Sequence, residues 1–255
     1  MAESFGVDPG RYDRSRPGYP RALIERIVAA SPGRDVLDVG CGTGIAARQF
    51  QVAGCRVLGI DVDARMARFA KQRGLEVEVA RFESWDAVDR AFDAVIAGQT
   101  WHWIEPVAGA TKAAAVLRPG GQIAVFRNDS RLPPKLTKAF AEAYARVLPD
   151  LPINPHRTRA AASPATDTLA EQAVRGIQQT GAFSVPQQWT FTWQRPYTGE
   201  QWLDELPTSG LLTRLPAEKL AELLTNIAAA IETTVDGKFT ADYTTTAIAA
   251  TRISS

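Results

Sequence analysis

Between residues 34 and 126 the apolar positions fall into short continuous runs separated by longer stretches of helical character. The runs DVLDV, CRVLGI, LEVEVA, FDAVIAG and GQIAVF read as five strands. GIAARQFQVA, DARMARFAKQRG and PVAGATKAAAVL read as helices, the second of them ended by Gly74. Strands that alternate with helices need crossover connections, and these produce a parallel sheet covered on both faces. The handedness of such crossovers is nearly invariant.

The pattern changes on either side of this block. Residues 17–30 place Leu23, Ile24, Ile27 and Val28 on one side of a helix. PKLTKAFAEAYARVL carries Leu136, Phe140, Tyr144 and Val147 at helical spacing. Residues 149–166, rich in proline, alanine and small polar residues, read as a loop or lid. QQWTFTWQRPY alternates strictly, with Trp189, Phe191 and Trp193 on one face, as a strand with one buried side does. Residues 216–232 form an amphipathic helix through Leu220, Leu223, Leu224, Ile227 and Ile231, and DYTTTAIAATRI closes the chain as a β-branched strand. The two last strands lack the usual crossover helix, so they are expected to form an antiparallel hairpin at one sheet edge. The fold class is therefore α/β: a doubly wound seven-stranded sheet, mostly parallel with an antiparallel C-terminal hairpin, helices on both faces and helical insertions forming a lid.

Composition narrows the classes of function. The 255 residues are 45% hydrophobic and 22% charged with a formal net charge of +1, so no global field points to nucleic acid. No apolar run is long enough to span a bilayer, and the first twenty residues lack the apolar core of a secretory signal. Cys41 and Cys55 suit reduced thiols better than a disulfide framework or metal cage. The expectation is a cytoplasmic monomer or homodimer with a small-molecule substrate and no nucleic-acid or membrane partner.

The stretch VLDVGCGTG, residues 36–44, carries the chemistry. A strand that runs through glycines into a helix lets a ligand lie against bare amides at the positive end of the helix. Gly42, Gly44 and Ala47 match the dinucleotide pattern G-x-G-x-x-G/A, and Asp61 follows at a fitting distance. Asp38, two residues before Gly40, fits a pyrophosphate poorly and an ammonium well. Asp61 ends the second strand and can accept both hydroxyls of a ribose, which suits a dinucleotide and S-adenosylmethionine equally. It is also a candidate helix N-cap.

VLDVGCGTG, VLGIDVDARM, FDAVIAGQTWHWI and LRPGGQIAVF together resemble the class I S-adenosylmethionine-dependent methyltransferases. RYDRSRPGYP and the HW dipeptide resemble the small-molecule branch typified by trans-aconitate methyltransferase. The likeness covers roughly residues 11–127. It implies S-adenosyl-L-methionine as cofactor and S-adenosyl-L-homocysteine as product. It further implies that Asp38, Gly40 and Gly42 line the methionine part, that Asp61 takes the ribose, and that Val62 and Met66 pack on the adenine. Gln99 would hold the methionine end, with Tyr12 and Arg16 reaching over and Arg16 near the cofactor carboxylate. Many relatives have an Asp after the third strand for the adenine amino group. Here Arg81 and Phe82 stand at that place, leaving Glu83 or the backbone to serve. One structural domain is expected, divided into a cap segment and helix (1–30), a cofactor-binding core (31–127), a lid insertion (128–182) and hairpin strands with inserted helices (183–255).

His102 follows the fourth strand at the carboxyl end of the sheet, where ligands bind, and its ordinary pKa suits a general base. The alternative is that TWHW only packs the loop. Trp101 and Trp103 offer ring faces to a sulfonium or a substrate, or pack in the core. His156 falls in the loop as a solvated residue. Arg127, Arg131, Lys135, Arg157 and Arg159 form either a seat for an anionic substrate or a solvated face. The expected reaction is methyl transfer to a carboxylate or hydroxyl oxygen of a small molecule. An NAD(P)-dependent oxidoreductase and a non-catalytic S-adenosylmethionine binder stay open, although no Tyr-x-x-x-Lys pair supports the former. No residue spacing indicates a metal.

Overall fold

The computed structural model describes residues 6–149, 169–210 and 212–253. The predicted loop at 149–166, with His156, Arg157 and Arg159, lies outside them from residue 150 onward. Seven strands form one sheet in the order β3-β2-β1-β4-β5-β7-β6. They are β1 (Asp35–Val39), β2 (Arg56–Asp61), β3 (Glu76–Val79), β4 (Phe92–Gly98), β5 (Leu117–Arg131), β6 (Gln187–Thr198) and β7 (Lys238–Thr251). The first five pair in parallel, and β7 inserts antiparallel between β5 and β6. The sheet is therefore mixed, with β7 alone running against the other six, as the alternation of elements predicts.

Both faces are covered because the central strands are apolar on both sides. On one face α2 (Arg21–Ala30), α3 (Ile45–Val52) and α4 (Ala64–Gln72) bury Leu23, Ile27, Phe50 and Ala70 against the sheet, α2 over β5, α3 over β1 and β2, and α4 over β2 and β3. On the other, α5 (Pro106–Val116) and α7 (Leu169–Gln179) cover Leu37, Val95 and Ile123. Burying each such large side chain is worth about 1.5–3 kcal/mol.

A third apolar cluster lies beyond the central sheet. There α6 (Pro134–Val147), α8 (Gly199–Glu205) and α9 (Ala217–Val235) pack Phe140, Trp202, Leu223 and Ile227 against Tyr197, Phe239 and Tyr243 of the long last strands. The chain from 128 to 182 thus serves two places: α6 joins this cap, whereas α7 packs along α5. Several boundaries differ from the periodicity, among them the start of β7, which lies at Lys238 and not at Asp242. The helix expected from residue 17 begins at Arg21, since Pro17 and Pro20 precede it and Pro20 is its N-cap. β5 continues through the polar stretch Arg127–Arg131 because β7 pairs with it all the way to Asp242 opposite Arg131. Ladder pairing, not an apolar run, extends that strand.

Candidate functional site

The turn after β1 is built around Gly40, Gly42 and Gly44, all with positive φ. Gly40 is demanded twice over. At φ +66° other residues are strained, and a Cβ would lie 2.0 Å from Cγ2 of Thr100. Thr100, beyond β4, donates its hydroxyl to the carbonyls of Gly40 and Gly98, each at 3.0 Å. The amides of Gly40 and Cys41 donate to the Ile60 carbonyl at 2.7 and 3.0 Å, tying the turn to β2. At Gly42 a Cβ would meet nothing within 4 Å, because the residue borders open space.

That space is a cavity of about 800 Å³ at the carboxyl ends of β1, β2 and β4. Asp38, Gly40 and Gly42 line it from the turn, and Asp61, Val62 and Met66 from the β2–α4 connection. Phe82 and Glu83 line it after β3, as do Gln99 and His102 after β4. Tyr12 and Arg16 close one side from α1 (Pro9–Ser15) and the residue after it. Glu83 also accepts from the Glu105 amide at 3.4 Å.

Asp38 is buried, and its Oδ2 has no hydrogen-bond partner among the described residues. Burial, then the charge of Asp61, pushes its pKa up to about 7 against one backbone N–H from Ala47. Thr43 Oγ1, in the same turn, is also buried without a partner. Asp61 accepts from the Gly42 amide at 2.7 Å and the Asp63 amide at 2.8 Å, so it clips the glycine turn to the start of α4. Burial raises its pKa too. The N-cap of α4 is Asp63, which accepts from the Arg65 amide. The capping role considered for Asp61 therefore falls to its neighbour two residues on.

Arg16 donates to Oγ1 and O of Thr208, at 2.9 and 2.7 Å, and its guanidinium lies 5.2 Å from the Tyr12 ring centre. Arg11 and Arg14 both reach Asp204 of α8, at 2.9 and 2.8 Å. Arg195 donates to the Ser15 carbonyl at 3.0 Å. The N-terminal segment is thereby fastened to the cap, whose Ser209 and Gly210 reach the cavity.

The two tryptophans part company. Trp103 is 39% exposed and lines the main cavity. Trp101 is buried against Gly109, where a Cβ would come within 3.2 Å of its ring, and it borders a second cavity of about 110 Å³. Arg127 also lines that second cavity, paired with Asp129 at 2.7 Å. Arg131 lines neither cavity; it is exposed and pairs with Asp242 at 3.3 Å. His102 borders both, and burial, aided by the charge of Arg127, lowers its pKa. The residues that sequence reasoning passed over are Thr100, Tyr19, Asn128 and the pair Ser209–Gly210. Tyr19 and Thr100 lie within RYDRSRPGYP and FDAVIAGQTWHWI, where no pattern sets them apart from their neighbours, and Asn128 and Ser209–Gly210 arrive through long-range packing. Among the described residues no group of three or more His, Cys, Asp or Glu could hold a metal, and no helix is long and apolar enough to cross a membrane.

Residues 36–121, from β1 through α5 to the start of β5, match the family model described as a methyltransferase domain. This stretch is a methyltransferase domain. It is similar to an uncharacterised methyltransferase of Mycobacterium tuberculosis, 35% identical over 137 residues, which are 52% of this chain and 56% of the relative. It is also similar to a malonyl-[acyl-carrier protein] O-methyltransferase of Pectobacterium atrosepticum, 32% identical over 133 residues, which are 49% of this chain and 51% of the relative. The chain thus spans about half the length of the curated relatives it matches. The fold around the methyltransferase domain is shared more widely. A proposed type II methyltransferase from Anaeromyxobacter dehalogenans superposes with a TM-score of 0.62 at 22% identity, covering 92% of this chain and 97% of that one. A Haemonchus contortus phosphoethanolamine N-methyltransferase, solved with S-adenosylhomocysteine, superposes with a TM-score of 0.53 at 16% identity, covering 100% of this chain and 60% of that one.

Proposed function

We propose that the protein transfers a methyl group from S-adenosylmethionine to an oxygen, carboxylate or hydroxyl, of a small-molecule acceptor. The observation that carries this reading is the buried Asp38 carboxylate, whose Oδ2 has no partner among the described residues, beside a glycine turn in a cavity of about 800 Å³. A buried carboxylate without a partner is costly, and an ammonium supplies what it lacks. A pyrophosphate does the opposite, which speaks against a dinucleotide although the glycine spacing admits one. In this reading Asp38, Gly40 and Gly42 hold the methionine part with Gln99, while Arg16 faces its carboxylate. Asp61 retains lone pairs for ribose hydroxyls beside the two amides it already accepts from. Val62 and Met66 flank the adenine, with Phe82 and Glu83 at its edge.

The bound cofactor supplies an electrophilic methyl on a sulfonium. The task of the chain is to hold the acceptor oxygen in line with that methyl at about 3 Å, a positioning worth about 7–11 kcal/mol at its best. His102 stands neutral at neutral pH in this pocket, because its pKa is lowered, and so can accept a proton from a hydroxyl acceptor. An ionised carboxylate would need no base. A relative named as an O-methyltransferase supports an oxygen acceptor. The two buried free thiols support a reducing, cytoplasmic setting. Turnover of methyl-labelled S-adenosylmethionine across a panel of small alcohols, phenols and acids tests the proposal. Transfer to an oxygen is expected, with His102→Ala slowing hydroxyl acceptors far more than carboxylate acceptors. Binding without transfer to any acceptor would indicate a cofactor-binding protein that is not an enzyme.

A further inference from the structure

A chain of hydrogen bonds runs from the last two strands to the main cavity. Thr245 of β7 stands opposite Asn128 of β5 and is 0% exposed. Its Oγ1 accepts from Trp193 Nε1 of β6 at 2.8 Å and donates to Asn128 Oδ1 at 2.6 Å. Asn128 Nδ2 in turn donates to the Gly18 carbonyl at 2.9 Å. The two ends set the direction of every bond between them. An indole N–H only donates and a carbonyl only accepts, so the threonine hydrogen goes to Asn128 and the amide turns its NH2 towards Gly18. A flipped amide would set its oxygen against the Gly18 carbonyl. Gly18 lies on the stretch that links α1 to α2, stiffened by Pro17 and Pro20. Arg16, Pro17 and Tyr19 of this stretch line the main cavity. Its second anchor is Gln49 of α3, which accepts from the Tyr19 amide at 2.9 Å and donates to the Tyr19 carbonyl at 2.7 Å.

We infer that Thr245 is a positioning residue for the cofactor, acting through the Asn128 amide on the Arg16–Tyr19 stretch; this rests on the methyl-transfer reading above. Thr245 itself lines neither cavity, so its effect on binding passes through Asn128. Valine fills the same space in a strand and lacks only the hydroxyl that aims the amide. Without that donor Asn128 Oδ1 loses its partner, the amide is free to turn, and Gly18 is left to the Gln49 anchor alone. Gln99 serves as an internal contrast. Its side chain is held by the backbone carbonyl of Asn128 at 3.1 Å and its amide by the Phe126 carbonyl at 2.8 Å. Both carbonyls belong to β5, whose pairing with β7 does not depend on the Thr245 hydroxyl.

Thr245→Val and Thr245→Ser test this. Amide hydrogen exchange of the unliganded protein is read at Tyr19, with Gln99 and the amides of β1 as references. Thr245→Val is expected to speed exchange at Tyr19 by about fivefold or more and to leave the references within about twofold. Affinity for S-adenosylhomocysteine, by calorimetry, is expected to fall about tenfold. Thr245→Ser keeps the hydroxyl and is expected to hold both readings within about twofold of the parent. In an Asn128→Ala background Thr245→Val should weaken S-adenosylhomocysteine no further, because the link is already cut. Full affinity in Thr245→Val would overturn the inference, as would exchange that quickens equally at Tyr19, Gln99 and β1, the mark of a merely structural role. Should Thr245→Val not fold, Asn128→Ala, at a half-buried position, is expected to show the same selective exchange at Tyr19, and unchanged protection there would overturn the inference equally. Absence of S-adenosylhomocysteine binding to the parent would instead overturn the methyl-transfer reading, and exchange in the unliganded protein reads the tether independently of that result.

Discussion

The glycine turn and the cap sit on the same cavity but are built by opposite means. The turn is local: a strand, three glycines and a helix follow one another directly between Asp35 and Val52, clipped by Asp61 only nineteen residues on from Gly42. The cap is assembled over long distances. Arg11 and Arg14 find Asp204 across about 190 residues, Arg16 finds Thr208, and Tyr197 and Tyr243 share a hydrogen bond across 46. The first region holds a buried carboxylate, Asp38, with one oxygen left without a partner among the described residues, and its geometry has no slack. The second is laced with redundant pairs, several of them solvent-exposed, so each contributes little by itself. Substitutions should therefore be severe in the turn and mild in the cap.

The largest effect is expected for Gly40→Ala. The new methyl meets Thr100 and the backbone is held at positive φ, so a lowered melting temperature and loss of cofactor binding by at least 100-fold should appear together. An unchanged melting temperature would mean that the turn is softer than its contacts indicate.

Next comes Asp38, whose pKa is raised above that of an unfolded carboxyl. Between about pH 4 and about pH 7 the folded protein holds a proton that the unfolded chain has released. Stability of the unliganded protein from this group is therefore full below about pH 4 and is lost as pH rises through about 7. Cofactor affinity runs the other way, since the ammonium prefers the ionised carboxylate. It is expected to rise about tenfold per pH unit up to about pH 7 and then level off. Asp38→Asn should flatten both profiles, weaken the cofactor by about 10- to 100-fold, and stabilise the unliganded protein at pH 8. Denaturant unfolding and calorimetry at several pH values read these together.

The sheet and the turn were legible in the sequence because local rules determine them. Short apolar runs mark the strands, and the Asp-x-Gly-x-Gly-x-Gly spacing marks the approach of a ligand. Legibility ended where distant side chains decide. Nothing in QTWHW says that Thr100 lies under Gly40, or that Trp101 turns inward while Trp103 turns out. The exchange of the cap from Asp61 to Asp63 is a matter of two residues, below the resolution of pattern reading. Arg127 and Asp129 were readable in principle, since residues two apart in a strand share a face and opposite charges there pair. That signal needed β5 to run past its apolar stretch, which only β7 reveals.

The smallest effect is expected in the cap. Asp204→Ala takes the carboxylate from Arg11 and Arg14 but leaves Arg11 on the carbonyls of Leu203 and residue 204, and costs at most about 1 kcal/mol of stability with a loss of cofactor affinity of about two- to fivefold. A collapse as deep as that of Gly40→Ala would erase the contrast between the two regions.

The most direct test is calorimetric titration of the intact chain at pH 8 with S-adenosylhomocysteine and, separately, with NAD. One S-adenosylhomocysteine per chain, bound at micromolar strength or better and weakened by Asp61→Ala, with no measurable heat from NAD, is the predicted result. Tight binding of NAD, or no binding of S-adenosylhomocysteine, would contradict the account.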